Sequence, residues 1–156
     1  MSGSKFVYVT YIRTTPDELW HAVTTTEVIE KYRFGMRVES DWKRGSAWKM
    51  FADGNLMDSG EIVESASPKR LVLSWLCEWS SDFKAEGESR CMFELEPAGA
   101  ATKLTVTHSI ERPNSEFIDA VADGWPMVLS NLKSFLESGT SHSTSIADTN
   151  NERKTT

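Results

Sequence analysis

The sequence predicts an α+β fold: an antiparallel sheet of about seven strands, two short helices after the first strand, and one long C-terminal helix. Three observations carry this. From residue 36 to residue 109 apolar residues recur at every second position, with turn signals between the runs. Residues 118–136 repeat theirs at helical spacing instead. Between the first β-rich run and the start of the alternation lie two short segments with helix-start chemistry.

The first run, KFVYVTYI at 5–12, is β-branched or aromatic at nearly every position, which predicts a strand buried at least partly on both faces. In the following TTPDELWHAVT, Thr15 is a candidate cap and Pro16 suits the first helical position. Glu18 stands three residues after Thr15, as a capping box requires. Leu19, Trp20 and Val23 share a helical face, and a second helix over 27–33 clusters Val28, Ile29 and Tyr32. Helices this short do not stand alone in water, so both must pack on something.

Met36, Val38, Ser40 and Trp42 then alternate with Arg37, Glu39, Asp41 and Lys43. Gly45 marks a turn, Trp48 and Met50 resume the alternation, and Asp53-Gly54-Asn55 signals a hairpin. Strands follow near 58–65, 70–79, 88–96 and 102–109, and their order is a meander of antiparallel neighbours. The pattern does not orient the 58–65 strand. In the 70–79 strand Leu71, Leu73, Trp75, Cys77 and Trp79 share one side. A hairpin centred near Lys84 would set Cys77 opposite Cys91, both thiols reduced and buried.

The last helix starts after Pro113, with Asn114 or Ser115 as its cap. Gly124 and Pro126 predict a kink there, or a restart capped by Asp123. Gly139 ends the helix. Residues 140–156 hold one large apolar residue and are expected to be a disordered tail, leaving one domain over 5–139.

The 17 basic and 23 acidic residues argue against nucleic acid as a partner. Lys43-Arg44 and Lys69-Arg70 are pairs at turns rather than a binding patch. No apolar run approaches the roughly 18 residues of a membrane span, so no membrane partner is expected. The N-terminal residues show no secretory signal, and two cysteines make no disulfide framework; the expected location is cytoplasmic. Glycine-rich nucleotide loops, zinc-protease and serine-hydrolase motifs are absent. His21, His108 and His142 are scattered, so neither a metal nor a cofactor is predicted.

Several stretches carry a family resemblance: Ser40-Asp41-Trp42 with Gly45 and Trp48; Asp53-Gly54; GEIVESASPKRLVLSW at 60–75; Thr105 through His108; and Gly124-Trp125-Pro126 leading into Leu129-Ser130-Asn131-Leu132-Lys133. Taken in order, they make the chain resemble the activator of heat-shock protein 90 ATPase homologue group of the SRPBCC, or START-like, superfamily. The resemblance covers about residues 5–139. It implies a helix-grip fold, in which a curved sheet wraps the C-terminal helix and a cavity often lies between them.

On that fold the candidate ligand-binding residues are Trp75, Trp79, His108 and Trp125. His108 follows Leu104 and Val106 at period two and should point inward, either as a satisfied core residue or as a polar handle for a ligand. For the tryptophans the alternatives are core packing and pocket lining. Met50, Met57 and Met127 would add adaptable surface if they reach the same space. The leading expectation is a small module binding a hydrophobic or aromatic small molecule between sheet and helix. A cyclase- or hydrolase-type enzyme would need a titratable pair in that space, and no catalytic residues are assigned. A co-chaperone-like interaction domain, with a protein partner, would need an exposed apolar patch, for instance around Phe51 or Phe83.

Overall fold

A computed structural model of the chain describes residues 3–138; the Gly139 stop and the tail expected over 140–156 lie outside the described residues. Strand β1 (Ser4–Ile12) leads through α1 (Pro16–Val23) and α2 (Thr26–Tyr32) into β2 (Arg37–Ser40), β3 (Ala47–Ala52), β4 (Asn55–Ala66) and β5 (Arg70–Cys77). A short helix, α3 (Ser81–Ala85), then precedes β6 (Ser89–Ala98), β7 (Ala101–Ile110) and the long helix α4 (Glu116–Ser138). The seven strands form one sheet in the order β1-β7-β6-β5-β4-β3-β2, with antiparallel neighbours throughout. Register shifts between Met50 and Phe51 and between Ile62 and Glu64 bend β3 and β4, as bulges do.

Local chemistry sets the element ends. The Thr15 hydroxyl accepts a 3.1 Å hydrogen bond from the Glu18 amide, with Pro16 opening α1. The Ser115 hydroxyl accepts from the Ile118 amide at 3.0 Å and so caps α4. The Glu86 carboxylate sits on the same helix end, accepting from the Ser115 hydroxyl at 2.6 Å and from the amides of Glu116 and Phe117 at 3.1 and 3.3 Å. An acid there satisfies exposed amides and complements the helix dipole.

One face of the sheet packs against α1, α2 and α4. At β1 the other face is uncovered, which corrects the two-sided burial expected of that strand: Val7, Val9 and Tyr11 are 49%, 46% and 52% exposed. An edge strand with no layer behind it has only one face to bury. Phe51 and Phe83, the candidate exposed patch, are partly buried.

Of the two readings of the C-terminal helix, the restart needs correction. Residues 116–138 form a single helix with Pro126 inside it, and no new helix begins at Asp123. Trp125, Val128 and Leu129 are buried around the proline, so contacts with the sheet hold the helix together across the lost hydrogen bond.

The cysteines do not face one another. In the β5–β6 register Cys91 lies opposite Leu73, while Cys77 pairs with Asp58 on β4. Helix α3 occupies the connection where a hairpin centred near Lys84 was expected, and the register differs accordingly. Both thiols are free and buried.

Candidate functional site

Helix α4 does not lie flush on the sheet along its whole length. Beneath its centre the side chains of Trp48, Leu71, Leu73, Phe93, Leu129 and Leu132 close to a gap of about 40 Å³, room for roughly one water. Toward the helix N-terminus the separation widens into a cleft of about 500 Å³. One wall is α4, from Phe117 through Val121, Gly124 and Trp125 to Val128. Opposite it stand Met50, Ala52, Asp53, Asp58, Trp75 and Trp79, and Arg33 to Met36 close the end. Met50 and Met127 line the cleft, whereas Met57 does not. The apolar row of β5 therefore meets two environments: Leu71 and Leu73 end in packed core, and Trp75 stands at the junction with the cleft.

Trp75 is the centre of an aromatic group. Its ring centroid lies 4.7 Å from that of Trp48, 5.0 Å from His108 and 6.0 Å from Trp125. Buried indoles need acceptors for their N–H groups, and each finds one. Trp48 Nε1 donates to the Ser74 carbonyl at 2.8 Å, Trp75 Nε1 to Asp58 Oδ1 at 3.1 Å, and Trp125 Nε1 to His108 Nδ1 at 3.2 Å. The last bond sets the imidazole tautomer. Because Nδ1 accepts, Nε2 carries the hydrogen and donates to Ser89 Oγ at 2.8 Å. The Ser89 hydroxyl in turn donates to the Trp75 carbonyl at 3.2 Å.

His108 is thus placed differently from the ligand handle expected of it. It points inward, but both ring nitrogens are engaged and it lines neither the packed gap nor the cleft. Burial, helped by the nearby Arg33 charge, drops its pKa to about 3, so the ring is neutral.

Trp79 also departs from expectation. Strand β5 ends at Cys77, and the chain turns into α3, so the alternation no longer governs residue 79. Trp79 is 54% exposed, stands edge-on to Phe83 at 5.4 Å, and lines the cleft. Of the four candidate residues the structure brings Trp75, Trp79 and Trp125 to the cleft wall.

Two residues missed by sequence reasoning complete the site. The Arg33 guanidinium lies 5.0 Å from the Trp125 ring centroid and 5.7 Å from that of Trp75. Arg33 as a whole is half-buried, yet its Nε is closed off from solvent and has no hydrogen-bond partner. Among the described residues no carboxylate forms an ion pair with it. Burial lowers its pKa, and the nearby Tyr32, Asp58 and Cys91 oppose that. Its position is set at the end of α2: Asn131 on α4 donates to the Tyr32 carbonyl at 2.8 Å, and Tyr32 donates to the Ala22 carbonyl at 3.0 Å. Phe34 and Gly35, both with positive φ, then reverse the chain.

Asp58 is the second. Its carboxyl is buried on the inner face of β4, and desolvation raises its pKa to about 6 against the opposing effects of the Trp75 hydrogen bond and Arg33. A signal for each was available: Arg33 sits between Tyr32 and Phe34 just before Gly35, and Asp58 has the parity of Ile62. Together they provide one cation and one weakly acidic carboxyl on an aromatic floor. Among the described residues no group of His, Cys, Asp and Glu is arranged to hold a metal.

A family model described as activator of Hsp90 ATPase homolog 1-like protein matches residues 13–137. No curated protein matches the chain. Solved structures align over most of it. CalU16 from Micromonospora echinospora is 23% identical, with 88% of this chain and 78% of that one covered and a TM-score of 0.71. Protein MLL2253 from Mesorhizobium loti is 25% identical, with 85% and 96% covered and a TM-score of 0.75. The Aha1 dimer from Colwellia psychrerythraea is 19% identical, with 87% and 98% covered and a TM-score of 0.73. The family match runs from just after β1 to the last turn of α4, through every element that frames the cleft, and the chain accordingly belongs to the activator of Hsp90 ATPase homolog 1-like family, with its helix-grip fold.

Proposed function

We propose that the protein is a binding module for an apolar or aromatic small molecule, held between the sheet and the N-terminal half of α4. The observation that carries this reading is the cleft of about 500 Å³, walled by Trp75, Trp79, Trp125 and aliphatic side chains. Its size and its few polar groups match the usual character of small-molecule sites.

Gly124 provides a test. It lines the cleft, and a Cβ added there meets no atom within 4 Å. Gly124→Leu should therefore fill the space from the helix side without a clash, and it replaces a poor helix former. Native mass spectrometry of protein purified from its own cells is expected to show a bound small molecule. The molecule should be missing from Gly124→Leu, whose melting temperature is at least that of the parent. A ligand-free parent would contradict the reading, as would a variant that still carries the molecule.

The enzymatic alternative loses His108, which is enclosed by protein partners, and keeps one observation, the titratable Asp58 lining the cleft with Arg33 and Asp53. The interaction-domain alternative retains one observation, the half-exposed Val7, Val9 and Tyr11 on the outer face of β1.

A further inference from the structure

Arg33 asks for something the described residues do not supply. A guanidinium has five N–H donors in its plane and two apolar faces. The Trp125 and Trp75 rings lie on one side of it, their centroids 5.0 and 5.7 Å from the guanidinium carbon and 6.0 Å from each other. Contact with indole rings takes up apolar surface of the group and supplies no acceptor to its in-plane donors. Among the described residues its Nε is enclosed with no acceptor and the side chain is in no ion pair. Buried polar atoms without partners are uncommon, and an unpaired, partly desolvated cation is costly to keep. Such a group is well suited to meet an incoming acceptor.

The two acids of the cleft do not remove that demand. Asp53 belongs to the exposed β3–β4 turn, and Asp58, whose Oδ1 accepts from Trp75 Nε1, attracts Arg33 without reaching ion-pair distance. The surrounding wall is flat and aromatic. We infer that the cleft selects an aromatic anion: a planar ring system bearing one acidic oxygen group, whose oxygens pair with the Arg33 fork while the ring lies against the tryptophans. Paired N–H···O bonds from a guanidinium to such a group are the strong, directional kind. This inference rests on the cleft being the binding site and adds the chemical class of what it takes.

Two fluorescent probes with a common skeleton separate the two claims. The anionic 8-anilinonaphthalene-1-sulfonate and the neutral N-phenyl-1-naphthylamine differ by the sulfonate. Each is titrated into the full chain and into Arg33→Met. The expected result is at least a tenfold rise in Kd for the sulfonate and less than a threefold change for the neutral probe. Arg33→Lys keeps the charge but gives up the planar fork; its sulfonate affinity should fall between the two, and it carries the same test if the methionine variant does not fold. Equal changes for both probes would mean that Arg33 only packs, and the inference would be overturned. So would a parent chain that binds the neutral probe and rejects the sulfonate. Failure of both probes to bind the parent would instead remove the cleft as a binding site.

Discussion

Replacing His108 by leucine tests the central hydrogen-bond chain, because its effect should reverse with pH. Near pH 7.5 the substitution removes the acceptor of the Trp125 N–H and the donor to Ser89, both in buried surroundings. Leaving such a group unsatisfied costs about 1–3 kcal/mol, so the variant should be less stable by that amount. Acid changes the comparison. The folded chain holds His108 at a pKa of about 3, against 6.5 for a free histidine. Between these values the unfolded chain takes up a proton that the folded chain refuses. The stabilisation from keeping the ring neutral is complete above pH 6.5 and is lost as pH falls toward 3, at about 1.4 kcal/mol per unit. By about pH 4.5 the parent should have lost about 3 kcal/mol that leucine, with nothing to protonate, does not lose. Other titrating groups are common to both chains and cancel in the difference. Urea unfolding followed by near-ultraviolet circular dichroism, at pH 7.5 and 4.5, measures it. The gap should close or change sign in acid. A gap that stays the same at both pH values would refute the buried neutral imidazole.

Asp58→Asn should behave in the opposite sense. The folded pKa of about 6 lies above the ordinary 3.8, so the proton is held more tightly in the folded state; that stabilisation is full below 3.8 and lost as pH rises through 6. The ionised parent therefore bears up to about 3 kcal/mol above pH 7 that the amide avoids, the attraction to Arg33 being already contained in that shift. Thermal melts should show the variant more stable at pH 8 and without advantage near pH 4; an advantage independent of pH would exclude this origin. Gly60→Ala should be severe, because an added Cβ would overlap the Ser74 carbonyl and come within 2.6 Å of Trp48 Nε1. Backbone must move to admit it, at a cost of about 3 kcal/mol or more, and a midpoint of unfolding equal to the parent's would show that β4 does not pass that close to β5.

Gly60 also shows how far a sequence can be read. Its place in GEIVESASPKRLVLSW made it part of a family resemblance, but the reason for a glycine there is the Trp48 indole crossing to reach the Ser74 carbonyl, a contact between three strands. Period-two alternation correctly put Leu71, Leu73, Trp75 and His108 on the inner face, because strand geometry alone decides it. It failed at Trp79, where the strand had ended, and at the Cys77–Cys91 pairing, where α3 changed the register.

Local chemistry thus determined the element order apart from α3, the capped start of α1 and the inward rows of the central strands, since each follows from neighbours a few residues apart. Three things required the assembled chain: the single passage of α4 through Pro126, the engagement of both His108 nitrogens, and the placing of Arg33 over two indoles. They depend on groups far apart in sequence, and a side chain's polarity does not say which partners the fold will bring within hydrogen-bonding reach. Arg33 illustrates this: in sequence it is an ordinary basic residue at a helix end, and only packing against Trp75 and Trp125 leaves its Nε buried and unmatched.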